Sequence, residues 1–198
     1  MLKRVIDFVV AGTGLLLLAP FFLLVGLLIK LDSKGPIFFK QKRVGRTFHP
    51  FLIYKFRTMV ERAPQLGPAI TVGEDARITR VGRLLRRAKV DELPQLINVL
   101  KGEMSLVGPR PELPEYVAAF RQQYEEILSV RPGITDLASL RFIDEASLLA
   151  HADDPERTYR ECILPQKLAL ARQYVAHHSL GMDCLLLVHT LCGLFRRS

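Results

Sequence analysis

The sequence predicts an α+β protein, mostly helical, with an N-terminal re-entrant membrane helix, a small β-hairpin region and amphipathic interfacial helices. Three observations predict it. Val5 to Ile29 is a 25-residue apolar run whose only charge is Asp7. Residues 31–60 alternate basic and aromatic side chains between Gly and Pro turn signals. From Thr79 onward, apolar residues recur at helical spacing. This order predicts a membrane helix over 1–30 and a cytoplasmic-face domain over 31–198. That domain divides into a hairpin region (31–60), a central core (76–134) and a helical tail (135–198).

At about 1.5 Å per residue, the first run is long enough to cross a bilayer. Its flanks oppose a simple crossing. Lys3 and Arg4 precede it and Lys30, Lys34, Lys40, Lys42, Arg43 and Arg46 follow, so both ends claim the cytoplasmic side. A break at Pro20 reconciles them, because proline removes a backbone donor and bends a helix. The helix then enters, turns and leaves on the side it came from. Ordinary spanning is the alternative; a secretory signal would need a shorter apolar region and a small-residue cleavage site. Asp7 should pair with Lys3, Arg4 or a basic group of the following domain, or else snorkel to the interface.

The 198 residues carry a formal charge of +8, which calls for an acidic partner. Nucleic acid, anionic lipid and a phosphorylated small substrate all qualify, and the membrane segment favours the last two. Cys162, Cys184 and Cys192 lack metal-ligand spacing and are expected as reduced packing residues.

Gly35-Pro36 opens a turn, Ile37 to Phe39 is a short apolar run, Gly45 breaks it and Phe51 to Phe56 resumes it. The basic residues here suit a solvated hairpin face or a polybasic band, and Lys55 and Arg57 could instead bind phosphate. Residues 61–75, with Pro64, Gly67, Pro68 and Gly73, read as a loop. A helix follows, with Val81, Leu84 and Leu85 on its inner face and Arg77, Arg80, Arg83 and Arg87 as a solvated or headgroup-facing row.

KVDELPQLINVLKGEMSLVGPRPELPEY holds the most chemistry. Asp91 stands where a helix N-cap belongs, Glu92 and Pro94 suit the first turn, Leu93, Leu96, Ile97 and Leu100 form the apolar face, and Gly102 is the stop. A structural cap alone would explain the acidic pair. A helix N-terminus also attracts phosphate, and Arg86 and Arg110 flank the pair, the latter in a rigid Gly108-Pro109-Arg110-Pro111 turn. Paired arginines beside paired carboxylates suit a diphosphate held with a divalent cation.

GPIFFKQKRVG, YKFRTM, ITRVGRLLRRAKVDELPQLINVLKGEMSLVGPRP and RPGIT, following an apolar helix, together resemble the bacterial sugar transferases known as monotopic phosphoglycosyl transferases. The likeness runs from Lys3 to the C-terminus and resembles the small form of that family. It implies transfer of a sugar phosphate from a UDP-sugar to undecaprenyl phosphate with release of UMP. It further implies Asp91 as the nucleophile that carries a covalent phosphosugar, Glu92 as its partner, and both as ligands of Mg²⁺. Arg86 and Arg110 match phosphate-binding positions; Lys3, Arg4, Asp7 and Pro20 match the anchor. The implied partners are the UDP-sugar donor, the undecaprenyl phosphate acceptor and membrane lipid, without nucleic acid and with a homodimer left open. The implied location is the bacterial inner membrane, active site to the cytoplasm. Ala19 stands where many relatives have serine, and RPGIT continues as DLASLRFIDEAS rather than with glycine and a Gln-Val-Asn-Gly-Arg-like string.

The tail reads as further helices: Pro114 to Val130 with Tyr116, Phe120, Tyr124 and Ile127 along one side, a start at Asp154-Pro155, and Leu164, Leu168, Ala171 and Val175 against the core. His177 and His178 are expected to be exposed. Met182 to Phe195, with Arg196 and Arg197 behind it, is too short to span and should lie in the interface or cover the core. A rival of another class is a non-catalytic, membrane-tethered basic module for nucleic acid or anionic lipid, which leaves Asp91, Glu92 and Arg110 without a common purpose.

Overall fold

The computed structural model describes residues 1–67, 71–73, 75–142 and 145–195. Leu2–Asp32 forms α1, 31 residues long. Pro20 has no N–H to offer the preceding turn, yet the helix runs on through it, so the expected break does not interrupt α1. One stripe of α1 faces the body: Asp7, Ala11, Val25, Gly26 and Ile29 are buried, and Gly12 and Gly14 face Leu100 and Leu96. The opposite side exposes Phe8, Val9, Leu16, Leu17, Leu23, Leu24, Leu27 and Leu31. Such a surface is far larger than water tolerates.

Both ends of α1 touch the same body. Lys3 Nζ donates to the Val107 carbonyl at 3.0 Å and to Asp183 Oδ2 at 2.5 Å, and Arg4 reaches the Leu100 and Met104 carbonyls. At the far end, Asp32 Oδ2 accepts from the Val81 amide at 3.0 Å. Asp7 is not ion-paired as expected. Its carboxylate accepts from the Ser105 hydroxyl and the Leu106 amide, while Lys3 goes to Asp183.

The hairpin is β1 (Phe38–Val44) and β2 (Pro50–Phe56), antiparallel, with Phe38 opposite Phe56. A 3₁₀ turn at Arg46–Phe48 joins the strands. After the short α2 (Ala63–Leu66) comes α3 (Arg80–Arg87), whose first turn is capped by the Thr79 hydroxyl. Val81 and Leu85 face inward, but Leu84, also expected there, is 64% exposed. The inward slot is taken by Gly82, where a Cβ would fall 2.0 Å from the Thr58 carbonyl oxygen.

Helix α4 (Gln95–Lys101) ends at Gly102, φ +85°, as expected of a left-handed stop. Its inward face also carries buried Gln95 and Asn98, which the apolar pattern did not include. Asn98 is fully used: its side chain accepts from the Tyr54 amide and donates to the Leu52 carbonyl and Glu103.

β3 (Ser105–Val107) then pairs in parallel with β4 (Gly133–Thr135), a second sheet that no periodicity announced because each strand has three residues. Between them, the single helix expected from Pro114 is split at Phe120 into α5 (Pro114–Ala119) and α6 (Arg121–Ile127). The tail comprises α7 (Leu137–Arg141), α8 (Glu145–Ala150), α9 (Pro155–Thr158), a π turn (Tyr159–Ile163), α10 (Leu164–His177) and α11 (Leu180–Phe195). Asp154 caps α9, and Leu186 packs with Ala11 of α1 in the central core.

His177 and His178 are exposed. So are all three cysteines, contrary to their expected packing role, because they lie on the outer sides of their helices. Arg196 and Arg197, Pro68, and Ile143 and Asp144 lie outside the described residues.

Candidate active site

The site forms where β2, the turn before α4 and the Gly108–Pro111 segment converge. The chain leaves α3 through a Schellman ending: Lys89 takes φ +56°, its amide bonds the Arg86 carbonyl, and the Val90 amide bonds the Leu85 carbonyl. This reversal turns the chain out of α3 into residues 91–94. The Phe56 amide then donates to the Asp91 carbonyl at 2.8 Å, tying the acidic pair to the end of β2.

Asp91 is not the helix N-cap that the sequence suggested. Pro94 occupies that position without a side-chain cap bond, and α4 begins at Gln95. The reason is local: proline disfavours helical geometry in the residue before it, so residues 90–94 form tight turns instead.

Glu92 is clamped. Its Oε1 accepts from Lys55 Nζ at 2.6 Å and from Arg110 Nη2 at 2.6 Å, and its Oε2 from Arg110 Nη1 at 3.2 Å. Burial opposes its charge, but the charges and hydrogen bonds of Arg110 and Lys55 outweigh that and hold its pKa well below the usual carboxylate range. Arg110 is raised in turn, chiefly by Glu92. Lys55 is lowered by burial, which the charge of Glu92 only partly offsets.

Asp91 is the reverse case. Half-buried, its carboxylate has no hydrogen bond or ion pair among the described residues. Burial raises its pKa and Glu92 raises it further, while Lys55, Arg86 and Lys89 act the other way. A carboxylate without donors, set among cations that touch something else, is the kind of perturbed group that marks candidate functional sites.

Arg86 stands on the other side, its Nε on the Thr58 hydroxyl at 2.8 Å and its Nη1 on the Thr71 hydroxyl at 3.2 Å. Neutral hydroxyls leave its charge available to an anion. Arg57 is placed differently from the phosphate-binding role expected of it. It is 5% exposed, and its Nη2 donates to the Ile29 and Ser33 carbonyls and the Ser33 hydroxyl, so it closes the C-terminal end of α1. Lys3, Arg4 and Asp7 likewise hold the start of α1 and do not enter the site.

Sequence reasoning missed the support behind Arg110. The Gly108 amide bonds the Thr135 carbonyl and the Gly133 amide bonds the Pro109 carbonyl, so the short parallel sheet fixes the Arg110 turn. A Cβ on Gly133 would meet the Gly108 nitrogen at 2.1 Å, which only glycine avoids. Buried Asp136 caps α7 through Ser139 and lends Arg110 a second negative neighbour. Arg43 holds Glu112 and the Pro111 carbonyl. The visible signal was RPGITD, which places an acid directly after the string that packs on GPRP.

Among the described residues, no group of three or more His, Cys, Asp or Glu side chains could hold a metal by itself. Mg²⁺ characteristically takes one or two carboxylates and completes its shell with substrate phosphates. Asp91 and Glu92, one of them with unused oxygens, fit that pattern.

The bacterial sugar transferase family matches residues 1–197. Similar proteins include the exopolysaccharide production protein PSS of Rhizobium leguminosarum bv. phaseoli, 41% identical over 96% of this chain and 93% of that one. The UDP-glucose:undecaprenyl-phosphate glucose-1-phosphate transferase of Caulobacter vibrioides is 41% identical over 97% of this chain and 69% of its own length. The UDP-N-acetylgalactosamine-undecaprenyl-phosphate N-acetylgalactosaminephosphotransferase of Aeromonas hydrophila is 38% identical over 96% of this chain, which spans 43% of it.

Proposed function

The chain belongs to the bacterial sugar transferase family, and from that premise we propose that it moves a sugar phosphate from a UDP-sugar to undecaprenyl phosphate, giving undecaprenyl diphosphate sugar and UMP. Such a reaction opens the membrane stage of exopolysaccharide or related glycoconjugate assembly. The observation that carries the reading is Asp91, a carboxylate left without donors beside a Glu92 held by Lys55 and Arg110.

In the first step, an Asp91 carboxylate oxygen attacks the sugar-bearing β-phosphorus. The bond from that phosphorus to the bridging oxygen breaks, and its electron pair leaves with UMP. In the second, an oxygen of undecaprenyl phosphate attacks the same phosphorus and Asp91 leaves as the free carboxylate. Splitting the transfer lets one site serve a soluble donor and a lipid acceptor in turn. Arg86, whose charge acts on Asp91, and Arg110, bound to its neighbour Glu92, neutralise diphosphate charge, while Glu92 keeps Lys55 and Arg110 oriented. Bound Mg²⁺, held by Asp91 and Glu92, would add further charge neutralisation on the departing phosphate.

The membrane seat follows from α1. A spanning rod would carry one of its ends out of reach of the body, whereas here Lys3 and Asp32 both touch it. Together with basic flanks on both sides, this supports a helix that bends at Pro20 without unwinding, dipping into the cytoplasmic leaflet of the inner membrane and returning.

The test is UMP release from a panel of UDP-sugars by protein in nanodiscs containing undecaprenyl phosphate and Mg²⁺. Asp91→Asn should lower turnover by at least about a thousandfold. Without acceptor, the wild-type Asp91 peptide should gain the mass of a phosphosugar. Turnover retained in Asp91→Asn would remove the nucleophile; no UMP from any donor would remove the reaction.

A further inference from the structure

We propose that the outward face of α3 is a docking surface for the phosphate headgroups of anionic lipids. At about 100° per residue, Val81, Gly82 and Leu85 make the inward side, with Val81 and Leu85 clustered with Val25 and Ile29 of α1. Arg80, Arg83, Leu84 and Arg87 share the outward side, and all four are exposed. The two edges differ. Arg86 lies toward Gly82 and reaches Thr58 beside the acidic pair. Leu84 lies on the opposite edge, next to Val81 and so next to α1.

The end of α1 supplies the continuation. Leu27 and Leu31 are exposed, and so are Lys30 and Lys34. Leu84 therefore stands beside the end of an α1 whose outer side is apolar, and Lys30, Lys34, Arg80, Arg83 and Arg87 are exposed cations on or just after the same two elements. Of the acids near this junction among the described residues, Asp32 is committed to the Val81 amide, and Glu61 lies beside Gly35 close to Arg57. An acidic soluble protein would answer the charges but not exposed Leu84 next to an α1 whose outer side is apolar. A bilayer answers both, with leucines among acyl chains and guanidiniums on phosphate oxygens. Because Arg86 belongs to the same helix, this docking would also fix one wall of the site relative to the headgroup plane.

The chain contains no tryptophan, so Leu84→Trp installs a single reporter at an exposed position without disturbing the core. In nanodiscs of phosphatidylcholine plus phosphatidylglycerol, its emission should shift to the blue and be quenched by brominated acyl chains. Removing phosphatidylglycerol, raising salt or adding Arg80→Gln, Arg83→Gln and Arg87→Gln should weaken the quenching, on the order of fivefold in partitioning per arginine. Amides 80–87 of the unmodified protein should exchange more slowly in anionic than in zwitterionic discs. Water-like, unquenched emission in anionic discs would overturn the proposal, as would quenching indifferent to lipid charge and to the arginines. Quenching that appears only when undecaprenyl phosphate is added would also overturn it, by assigning the face to the acceptor. These readouts do not depend on sugar transfer and stand or fall separately from it.

Discussion

Asp7 and Asp91 are both carboxylates withdrawn from water, and their surroundings are opposite. Asp7 is 4% exposed, and its two oxygens accept from the Ser105 hydroxyl and the Leu106 amide, donors fixed by β3. Asp91 is less buried yet has no donor among the described residues, and its nearest negative charge is adjacent in sequence. The first arrangement holds a helix in place. The second stores an unsatisfied charge, which is what a nucleophile requires and a scaffold avoids.

Breaking the comparison at its reactive end should give the largest effect. Asp91→Asn, beyond abolishing turnover, should leave the thermal midpoint unchanged or higher. The folded pKa of Asp91 lies above its ordinary 3.8, so its stabilising contribution is present at low pH and is lost as pH rises through the folded value. At neutral pH the ionised group is a cost that asparagine removes. A lower midpoint, read by scanning calorimetry, would mean that Asp91 supports the fold after all.

Next in size is the clamp. Arg110→Ala should lower turnover by about a hundredfold and leave Glu92 with Lys55 alone. Glu92→Gln should cost about 1–2 kcal/mol, because two half-buried cations lose their counter-charge. Glu92 behaves with the opposite sign from Asp91: its pKa is depressed below 4.5, so its contribution is complete above that value and disappears as pH falls through the folded one. Urea titrations from neutral to acid pH should show the wild type and Glu92→Gln converging in stability. A gap that stays constant with pH would refute the ion-pair assignment. Asp7→Asn is smaller, about 1–2 kcal/mol, and should leave the KM for the sugar nucleotide unchanged.

What the sequence made legible follows the same division. The apolar rod, the hairpin, the stop at Gly102 and the closeness of Arg86 and Arg110 to Asp91 and Glu92 could all be read, because each rests on periodicity, turn chemistry or a local motif, whereas the bond from Lys55 to Glu92 could not. The inner partner of Asp7 could not, since Ser105 lies 98 residues away and hydroxyls carry no pattern. Nor could the role of Arg57: a cation two residues after Lys55, just past the end of β2, reads as a second phosphate ligand until the end of α1 is seen to occupy it. The parallel pairing of β3 with β4 escaped because three-residue strands fall below any period, although it sets the position of Arg110.

The smallest expected effect sharpens the comparison most. Two helices that bracket the acidic pair end in the same way, α4 at Gly102 and α3 at Lys89, each with the paired bonds of a Schellman motif. Gly102 takes its positive φ freely, whereas Lys89 pays for its side chain by about 1 kcal/mol. Lys89 is exposed and makes no cap bond of its own, so stability alone would favour glycine. Its charge, however, is one of those that lower the pKa of Asp91. Lys89→Gly should therefore stabilise the fold by about 0.5–1 kcal/mol and move the acid limb of the kcat/KM profile to higher pH, since the proposed attack requires ionised Asp91. Lys89→Asn, which tolerates the same backbone without the charge, should shift the profile equally. If both variants gain stability with an unmoved acid limb, the lysine is an accident of the turn; if the limb moves, the strained residue is kept for the charge it holds over Asp91.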